Sequence, residues 1–281
     1  MNAKPTPLPL RATRATRLAL HLLWGATTVA LAYPFITGHR RLWLKQRWSR
    51  QLLDILGIRL DAALGGIEPG SLIVANHISW ADIFVLNAAR PVAFVAKAEV
   101  RQWPLIGWLA AKTDTVFLRR GSRGHARIVN AEIDALLNAG MDVAIFPEGT
   151  TTDGTHLLGF HGALLQPAVE TGRPIQPLAL SYETPDGQRA LAPAYAGDTT
   201  LGQCLAAMLS TRTIVARLRP TPALPTPGRS RRELAQAAHG AIALSLGFPP
   251  ANSRPGIPAG PPAAPRSGGA PTDSPNPAPA G

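Results

Sequence analysis

The chain has 281 residues and a formal net charge of +11, of which the first 50 residues, with nine Lys or Arg and no acid, carry +9. The remaining body is nearly neutral, which argues against nucleic acid as a partner, because nucleic-acid-binding faces collect basic side chains on the folded domain. Its only cysteine, Cys204, can form neither an internal disulfide nor a cysteine-based zinc site.

The N-terminal region combines this basic charge with a long apolar stretch. Residues 18–37 read LALHLLWGATTVALAYPFIT, close to the roughly 20 apolar residues that cross a bilayer. The next segment, HRRLWLKQRWSRQLLDILG at 39–57, places Leu and Trp near helical spacing among Arg and Lys. Such a helix lies in the membrane interface, with Trp43 and Trp48 expected at the depth of the headgroups. We predict a basic membrane anchor over 1–57, made of an apolar and an amphipathic helix, and a membrane surface as a partner.

Other interpretations of this segment stay open. The pattern also fits a buried core helix followed by a solvated one, and Ala30-Leu31-Ala32 resembles the cleavage site of a secretory signal. Basic residues flank the apolar stretch on both sides, so the positive-inside rule does not orient a full span. An anchor with both ends in the cytoplasm is therefore an alternative to a helix that crosses the membrane.

From about residue 66 to 219, short apolar runs alternate with helical patterns. The predicted strands are 71–76, 91–97, 114–120, 142–148, 174–180 and 213–219, and the predicted helices are 81–89, 123–139 and 157–170. Such alternation indicates an α/β fold in which helices flank a mixed, largely buried sheet. We predict one domain over 58–248, with a last helix at 229–246.

Residues 249–281 differ in composition from everything before them. They contain eleven of the 28 prolines, interspersed with Gly, Ala and Ser. A segment of this kind cannot bury enough apolar surface to offset the entropy of ordering it. We predict a disordered tail over this range.

Polar side chains follow several of the predicted strands at the point where each strand ends. Open α/β sheets bind ligands in the crevice beyond those ends, so we expect these side chains to form one site. They are Asn76 and His77, Lys97, Arg119 and Arg120, and Glu148. No phosphate-binding loop, nucleophile elbow, dinucleotide fingerprint or His-Glu-x-x-His motif accompanies them, and no metal or organic cofactor is implied.

His77 and Asp82 form a candidate acid–base pair. Residues five apart are rotated by ~140° on a continuous helix, so their contact requires a strand-to-helix turn, which Ser79 can provide as an N-cap. An Asp that holds one imidazole nitrogen leaves the other free as a general base. Alternatively, Asp82 only caps its helix and His77 is a structural histidine. Since no Ser or Cys nucleophile lies in a recognised motif, the hydroxyl to be activated would belong to the substrate.

Four short blocks resemble the glycerolipid acyltransferases of the lysophosphatidic acid acyltransferase type. Asn76-His77-Ile78-Ser79-Trp80-Ala81-Asp82 is similar to the family's Asn-His-x-x-x-x-Asp motif, and Phe146-Pro147-Glu148-Gly149-Thr150 is similar to its Phe-Pro-Glu-Gly-Thr motif. The segments 117–120 and 174–177 resemble its arginine-bearing and proline-bearing blocks. The blocks follow the family's order over roughly residues 70–180, and N-terminal membrane segments are typical of the family.

The resemblance implies an O-acyltransferase of phospholipid biosynthesis. It would transfer a fatty acyl group from acyl-CoA or acyl carrier protein to the free hydroxyl of a lysolipid, with 1-acyl-glycerol-3-phosphate giving phosphatidic acid. His77 would take the hydroxyl proton and Asp82 would fix the imidazole tautomer, and no acyl-enzyme is required. The implied location is the cytoplasmic face of the inner membrane.

The same resemblance implies which residues bind the substrates. Glu148 and Gly149 would help to bind the acceptor, with Arg120 at its phosphate. Gly149 could instead be needed only for a backbone with positive φ, Thr150 for capping the turn, and Lys97 could be an ordinary lysine of a sheet edge. The full set of implied substrate-binding residues is Asn76, Lys97, Arg119, Arg120, Glu148, Gly149 and Thr150.

One position departs from the family pattern. Many members have an arginine after Glu-Gly-Thr, where this chain has Thr151. Its absence removes one expected phosphate contact, so another lysolipid, such as lyso-ornithine lipid, is an alternative acceptor. Two rival functions are a lipid-binding protein without catalysis, which would not need the His77–Asp82 pair, and a thioester hydrolase that admits water.

Overall fold

The structure is a computed structural model that describes residues 6–102, 106–118 and 123–249. Helices alternate with strands along most of the chain. The helices are α1 (Leu8–Leu31), α2 (Gly38–Leu56), α3 (Asp82–Ala89), α4 (Ile106–Lys112), α5 (Arg123–Asn138), α6 (Gln166–Thr171), α7 (Leu201–Ser210) and α8 (Arg231–Ser245). The strands are β1 (Ile58–Ala62), β2 (Leu72–Ala75), β3 (Ala93–Lys97), β4 (Thr115–Leu118), β5 (Val143–Ile145), β6 (Ile175–Glu183) and β7 (Ile214–Pro220).

Within the described residues, the seven strands form one mixed sheet in the order β1-β7-β6-β2-β5-β3-β4. Strands β2 to β6 run parallel to one another, while β7 is antiparallel to β6 and parallel to β1. The carboxyl ends of β2 to β6 therefore meet at one edge of the sheet, which we call the carboxyl edge. The predicted α/β class with a mixed sheet is confirmed.

Each face of the sheet is covered by a separate apolar core. On one face, alternate side chains such as Ile73 and Leu180 pack with α2, α3 and α7. On the other face, Leu72 and Val74 pack with α5, α6 and α8. This double coverage explains why the central strands read as nearly continuous apolar runs.

Helix α2 is part of the first core as well as of the basic N-terminal region. Leu52, Leu53 and Leu56 are fully buried, and Gly57 (φ 75°) ends the helix directly before β1. The side chain of Lys45 is buried too, and its Nζ donates to the carbonyl of Val92 at 3.0 Å. The expected N-terminal anchor thus packs closely against the sheet domain through α2.

Helix α1 packs on the body along one stripe and exposes the rest of its surface. Its buried positions are Arg14, Leu18, His21, Gly25 and Val29, spaced three or four residues apart. By length and composition, the helical stretch Leu8–Phe35 could cross a membrane, and 28% of its apolar window is buried in the structure.

Two contacts fix α1 in place. The guanidinium of Arg14 donates to the carbonyls of Thr211 and Arg212 just beyond α7, each at 2.8 Å. Gly25 lets the helix approach Trp48, because a Cβ there would lie 2.5 Å from the indole nitrogen. Trp48 also stacks on His21, so it packs between α1 and α2.

The predicted helix over 157–170 is wrong in its first part. Only Gly162–Leu165, as a 3-10 turn, and α6 are helical there. The N–H of Leu158 donates to the Glu148 carboxylate and the N–H of His161 to the carbonyl of Pro147, so these groups are not available to a helix. Elements not predicted are β1, α4 and α7. Beyond Pro249, the predicted tail lies outside the described residues.

Candidate active site

The candidate site begins where β2 ends at the carboxyl edge. The side-chain amide of Asn76 donates to the carbonyl of Leu180 at 2.9 Å and accepts from the N–H of the same residue at 2.8 Å. Both ends of this amide are therefore bound to β6, and they fix the register of the loop that leaves β2. Asn76 is buried, and the structure brings it beside the site as a brace of the backbone.

His77 and Asp82 meet across the turn between β2 and α3. Nδ1 of His77 lies 2.8 Å from Oδ2 of Asp82, a carboxylate that is fully buried, while the imidazole remains 18% exposed. The hydroxyl of Ser79 accepts a hydrogen bond from the N–H of Ala81 and so stabilises the turn. The predicted strand-to-helix turn therefore brings the two side chains together.

Asp82 also binds the backbone of the loop before α3, but it does not cap the helix, because the N-cap of α3 is Ala81, not the predicted Ser79, and no side chain hydrogen-bonds there. Its Oδ2 accepts from the N–H groups of Ile78 at 2.7 Å and Ser79 at 2.9 Å, and α3 begins at Asp82. The same oxygen thus binds the loop backbone and the imidazole. Of the alternative interpretation, only the favourable position of the charge in the first turn of α3 is present, and it is compatible with the pairing to His77.

The second oxygen of Asp82 has a partner from a distant part of the chain. Oδ1 accepts a hydrogen bond at 2.7 Å from the hydroxyl of Tyr182, which is buried near the end of β6. Burial raises the pKa of Tyr182 well above its ordinary value, and the negative charge of Asp82 adds to the effect. The phenol therefore keeps its proton and remains a donor.

Glu148 holds two segments of backbone next to His77. It is buried in the loop that follows β5, and its two carboxylate oxygens accept from the N–H of His77 and the N–H of Leu158, each at 2.8 Å. Burial raises the pKa of Glu148, although the two backbone N–H groups partly oppose this shift. Gly149 follows with φ 70°, a backbone conformation in which a side chain is strained.

Phe146 forms one wall of the site. Its ring stacks on the imidazole of His77, with centroids 4.0 Å apart and an angle of 9° between the planes, and it also stacks on Phe94 of β3. One face of the imidazole is therefore covered. With Nδ1 bound to Asp82, Nε2 is the nitrogen left for chemistry, and the structure shows no hydrogen bond to it from the described residues.

The loop after Glu148 closes around the backbone of His77. The N–H of Thr152 donates to the carbonyl of His77 at 2.9 Å, and Thr152 is buried. The hydroxyl of Thr151 donates to the carbonyl of Tyr195, so this residue, at the position of the missing arginine, is bound to a neighbouring loop. Thr150 is exposed.

The basic residues expected at the site are described only in part. Lys97 is exposed at the last position of β3, on the carboxyl edge, where it pairs with Leu118 of β4. Arg119 and Arg120 lie outside the described residues. Among the residues that are described, no group of three or more His, Cys, Asp or Glu could hold a metal ion.

The sequence patterns did not identify Tyr182, the stacking of Phe146 or the contact of Thr152 as parts of the site. The alternation in β6 places Tyr182 on the same buried face as Leu180, but alternation does not specify a partner. Phe146 belongs to the Phe-Pro-Glu-Gly-Thr block and Thr152 lies two residues after it. Their position in the sequence next to Glu148 is the one feature that could have indicated a place in the site.

Comparisons with known proteins agree with this geometry. The family model described as Acyltransferase matches residues 61–181. The lyso-ornithine lipid O-acyltransferase of Pseudomonas aeruginosa is 41% identical over 207 residues, which cover 72% of this chain and 80% of that protein. The chain belongs to the acyltransferase family.

A further relative supports this membership, and a solved structure shows the fold. The 1-acyl-sn-glycerol-3-phosphate acyltransferase of Neisseria meningitidis is 38% identical over 172 residues, covering 60% of this chain and 67% of that protein. The crystal structure of the 1-acyl-sn-glycerophosphate acyltransferase PlsC from Thermotoga maritima superposes with a TM-score of 0.60 at 20% identity, over 84% of this chain and 96% of that chain. The fold is thus the one seen in PlsC, and the prediction that this acyltransferase-like chain is an enzyme is confirmed.

Proposed function

We propose that this chain transfers a fatty acyl group from a thioester to the free hydroxyl of a lysolipid, with His77 as general base. The observation that carries the proposal is the imidazole held at Nδ1 by a buried carboxylate, 2.8 Å away, with its other nitrogen left for a substrate. Relatives that carry lysolipid acyltransferase names support the choice of acceptor. The thioester would come from acyl-CoA or acyl carrier protein.

The reaction needs one proton carrier. His77 Nε2 takes the proton of the acceptor hydroxyl as the oxygen attacks the thioester carbonyl carbon. The tetrahedral intermediate then collapses, the carbon–sulfur bond breaks, and the imidazolium returns the proton to the thiolate. Asp82 keeps the proton of the neutral ring on Nδ1 and stabilises the imidazolium. No covalent acyl-enzyme forms.

Glu148 contributes by holding His77 in position. Both of its oxygens bind backbone N–H groups, one of them that of His77, which suits a brace of the catalytic loop. We assign acceptor binding to the rim of the site, to Gly149 and the exposed Thr150. The positive charge for the phosphates of acceptor or CoA would come from Lys97, Arg119 and Arg120.

Two lysolipids are candidate acceptors, each favoured by a specific observation. The motif resemblance favours 1-acyl-glycerol-3-phosphate, and the relative from Neisseria meningitidis carries that name. Lyso-ornithine lipid is favoured by the names of the relatives from Pseudomonas aeruginosa and Rhodobacter capsulatus, the second 34% identical over 90% of its length. Thr151 also favours it, because a neutral side chain there suits an acceptor without a phosphate.

The N-terminal helices support attachment to a membrane, and we propose its cytoplasmic face as the location. Helix α1 exposes four large apolar side chains, Leu20, Leu23, Trp24 and Leu31. Phe35, in the 3-10 turn that follows α1, is exposed as well. Because the opposite stripe of α1 is bound to the body, the helix is better suited to lie in one leaflet than to cross the bilayer alone. Basic residues around it would meet anionic headgroups.

The test uses purified protein in detergent micelles with radiolabelled acyl-CoA or acyl carrier protein and each of the two lysolipids. His77→Ala should lower turnover at least ~100-fold while the protein stays folded, because general-base catalysis is worth about 10²–10⁴. His156→Ala is the matched control, since His156 lies near Asp153 but is exposed, and it should retain wild-type turnover.

The products separate the alternatives. Labelled diacyl lipid from one acceptor identifies that acceptor and supports a transferase. Free fatty acid alone would mean a hydrolase, and no product with retained lipid binding would mean a binding protein. Full turnover by His77→Ala would overturn the role of the imidazole.

A further inference from the structure

We propose that Tyr182 is a positioning residue of this active site, whose hydroxyl holds Oδ1 of Asp82 and thereby fixes the carboxylate that orients His77. The inference rests on the proposed function, in which His77 is the general base. It adds a third side chain to the pair that the motif contains, and this side chain comes from another part of the fold.

The hydrogen bonds of Asp82 divide unevenly between its two oxygens. Oδ2 accepts from Nδ1 of His77 and from the N–H groups of Ile78 and Ser79, whereas Oδ1 accepts from the Tyr182 hydroxyl. Burying a carboxylate oxygen without a hydrogen-bond donor costs free energy. The carboxylate can lower this cost by rotating about its Cβ–Cγ bond or by taking up a proton. The phenol prevents both changes and leaves Oδ2 directed at the imidazole.

The position of Tyr182 is set by the sheet. Ala75 at the end of β2 pairs with Leu178 of β6, and the amide of Asn76 continues this register by binding the backbone of Leu180. Two residues further along β6, Tyr182 points to the same face as Leu180, which is the face covered by α3. The register therefore determines where the hydroxyl meets Asp82.

The donor is maintained over the working pH range. Tyr182 is buried, and burial together with the nearby charge of Asp82 raises its pKa well above the ordinary value. Among the described residues, the other titratable groups that interact with Asp82 are His77, Glu148 and Cys204, and burial raises the pKa of both Glu148 and Cys204. Tyr182 is the one of these groups that donates a hydrogen bond to Oδ1.

The test is Tyr182→Phe, which keeps the ring and removes the hydroxyl. Catalysis requires Asp82 ionised, and losing a donor disfavours the ionised form and makes the carboxylate a stronger base toward the imidazolium. Both effects move the acid limb of the kcat/KM profile to higher pH. If the limb moves by about one pH unit, kcat/KM at pH values below the limb falls about tenfold. The KM values for both substrates should stay unchanged.

A second variant protects the test against a packing defect. Tyr182→3-fluorotyrosine keeps the shape of the side chain but makes the phenol a stronger donor, so the acid limb should move to lower pH. A void or strain cannot move the limb in opposite directions in the two variants. Tyr33→Phe is the matched control, since it removes the hydroxyl of another buried tyrosine, which donates to the carbonyl of Arg41 in the N-terminal region. It should leave the profile in place.

Each outcome decides the proposal. Opposite shifts of the acid limb in the two variants support it. An unchanged profile, or a loss of rate that is equal at every pH and matches a loss of folded protein, would overturn it. If His77→Ala is inactive while Tyr182→Phe behaves as wild type, only the role of Tyr182 fails. If wild type and His77→Ala transfer at the same rate, the proposed function fails and Tyr182 has no base to position.

Discussion

Asp82→Asn removes the charge that the candidate active site holds at its centre. Asp82 accepts four hydrogen bonds, three at Oδ2 and one at Oδ1. Asparagine offers one carbonyl oxygen and one NH2 group. Its oxygen must take the place of Oδ2, because the NH2 group would otherwise face three N–H donors, and the NH2 group then faces the hydroxyl of Tyr182.

This rearrangement should reduce both stability and activity, to very different extents. Weakening the buried hydrogen bonds costs about 1–3 kcal/mol, which corresponds to a fall in Tm of about 2–12 °C for a domain of this size. With its oxygen in the place of Oδ2, the neutral amide still accepts from Nδ1 but no longer stabilises an imidazolium at His77. Turnover should therefore fall by about 10²–10⁴, the range that general-base catalysis supplies.

The two effects are measured on one preparation. Thermal melts give the change in Tm, and initial rates with the accepted lysolipid, taken well below the Tm of the variant, give the change in turnover. Asp153→Asn is the matched control, because Asp153 is an exposed aspartate that also pairs with a histidine. Near-normal turnover by Asp82→Asn would return Asp82 to a purely structural role and leave His77 without an orienting partner.

Two further predictions concern the membrane and the pH dependence of stability. Replacing both Leu23 and Trp24 by Glu should release the protein from anionic vesicles in a sedimentation assay, whereas Leu191→Glu, on an equally exposed leucine outside α1, should not. Binding by the double variant in high salt would place the attachment elsewhere. Burial raises the pKa of Glu148, so the stability it contributes is present at low pH and is lost as the pH rises through its folded-state pKa. The advantage in Tm of wild type over Glu148→Gln should therefore shrink as the pH rises from about 4, the ordinary pKa of a glutamate, and an advantage that grows would contradict this sign.

The sequence predicts the pair His77 and Asp82 because both lie in one turn. Their contact depends on six consecutive residues, a Ser that binds the backbone and the end of a buried strand. Apolar periodicity and turn rules predict structure over short segments, so a contact within six residues can be predicted from the sequence. The same reasoning places Glu148 at the end of a neighbouring strand.

Contacts that join distant segments could not be predicted in this way. Tyr182 lies 100 residues beyond Asp82, and the two meet only because β6 pairs with β2 in one register. The misassigned start of the helix at 157–170 has the same origin. Leu157 and Phe160 have helix-like spacing, but the N–H of Leu158 is bound by Glu148 from another segment. A tertiary hydrogen bond thus overrides the local pattern.

The first helix shows a further limit of periodicity. The apolar stretch begins near residue 18, yet α1 begins at Leu8 and includes the basic residues before the stretch. Arg14 explains this extension, because it binds the carbonyls that follow α7 and is buried by the contact. From the sequence alone, Arg14 would be expected to face solvent or the membrane, because its partners after α7 lie almost 200 residues away.

The loop that carries His77 and Asp82 receives its geometry from several segments that bind its backbone. The N–H of His77 is held by Glu148, its carbonyl by the N–H of Thr152, and the carbonyl of Ile78 by the N–H of Tyr195. These partners follow β5 or precede α7, so the turn that carries the motif is held from outside the motif. A displacement of about 1 Å in such a site can cost ~10²-fold in rate. Changes in these supporting segments should therefore affect turnover as strongly as changes in many residues that touch substrate.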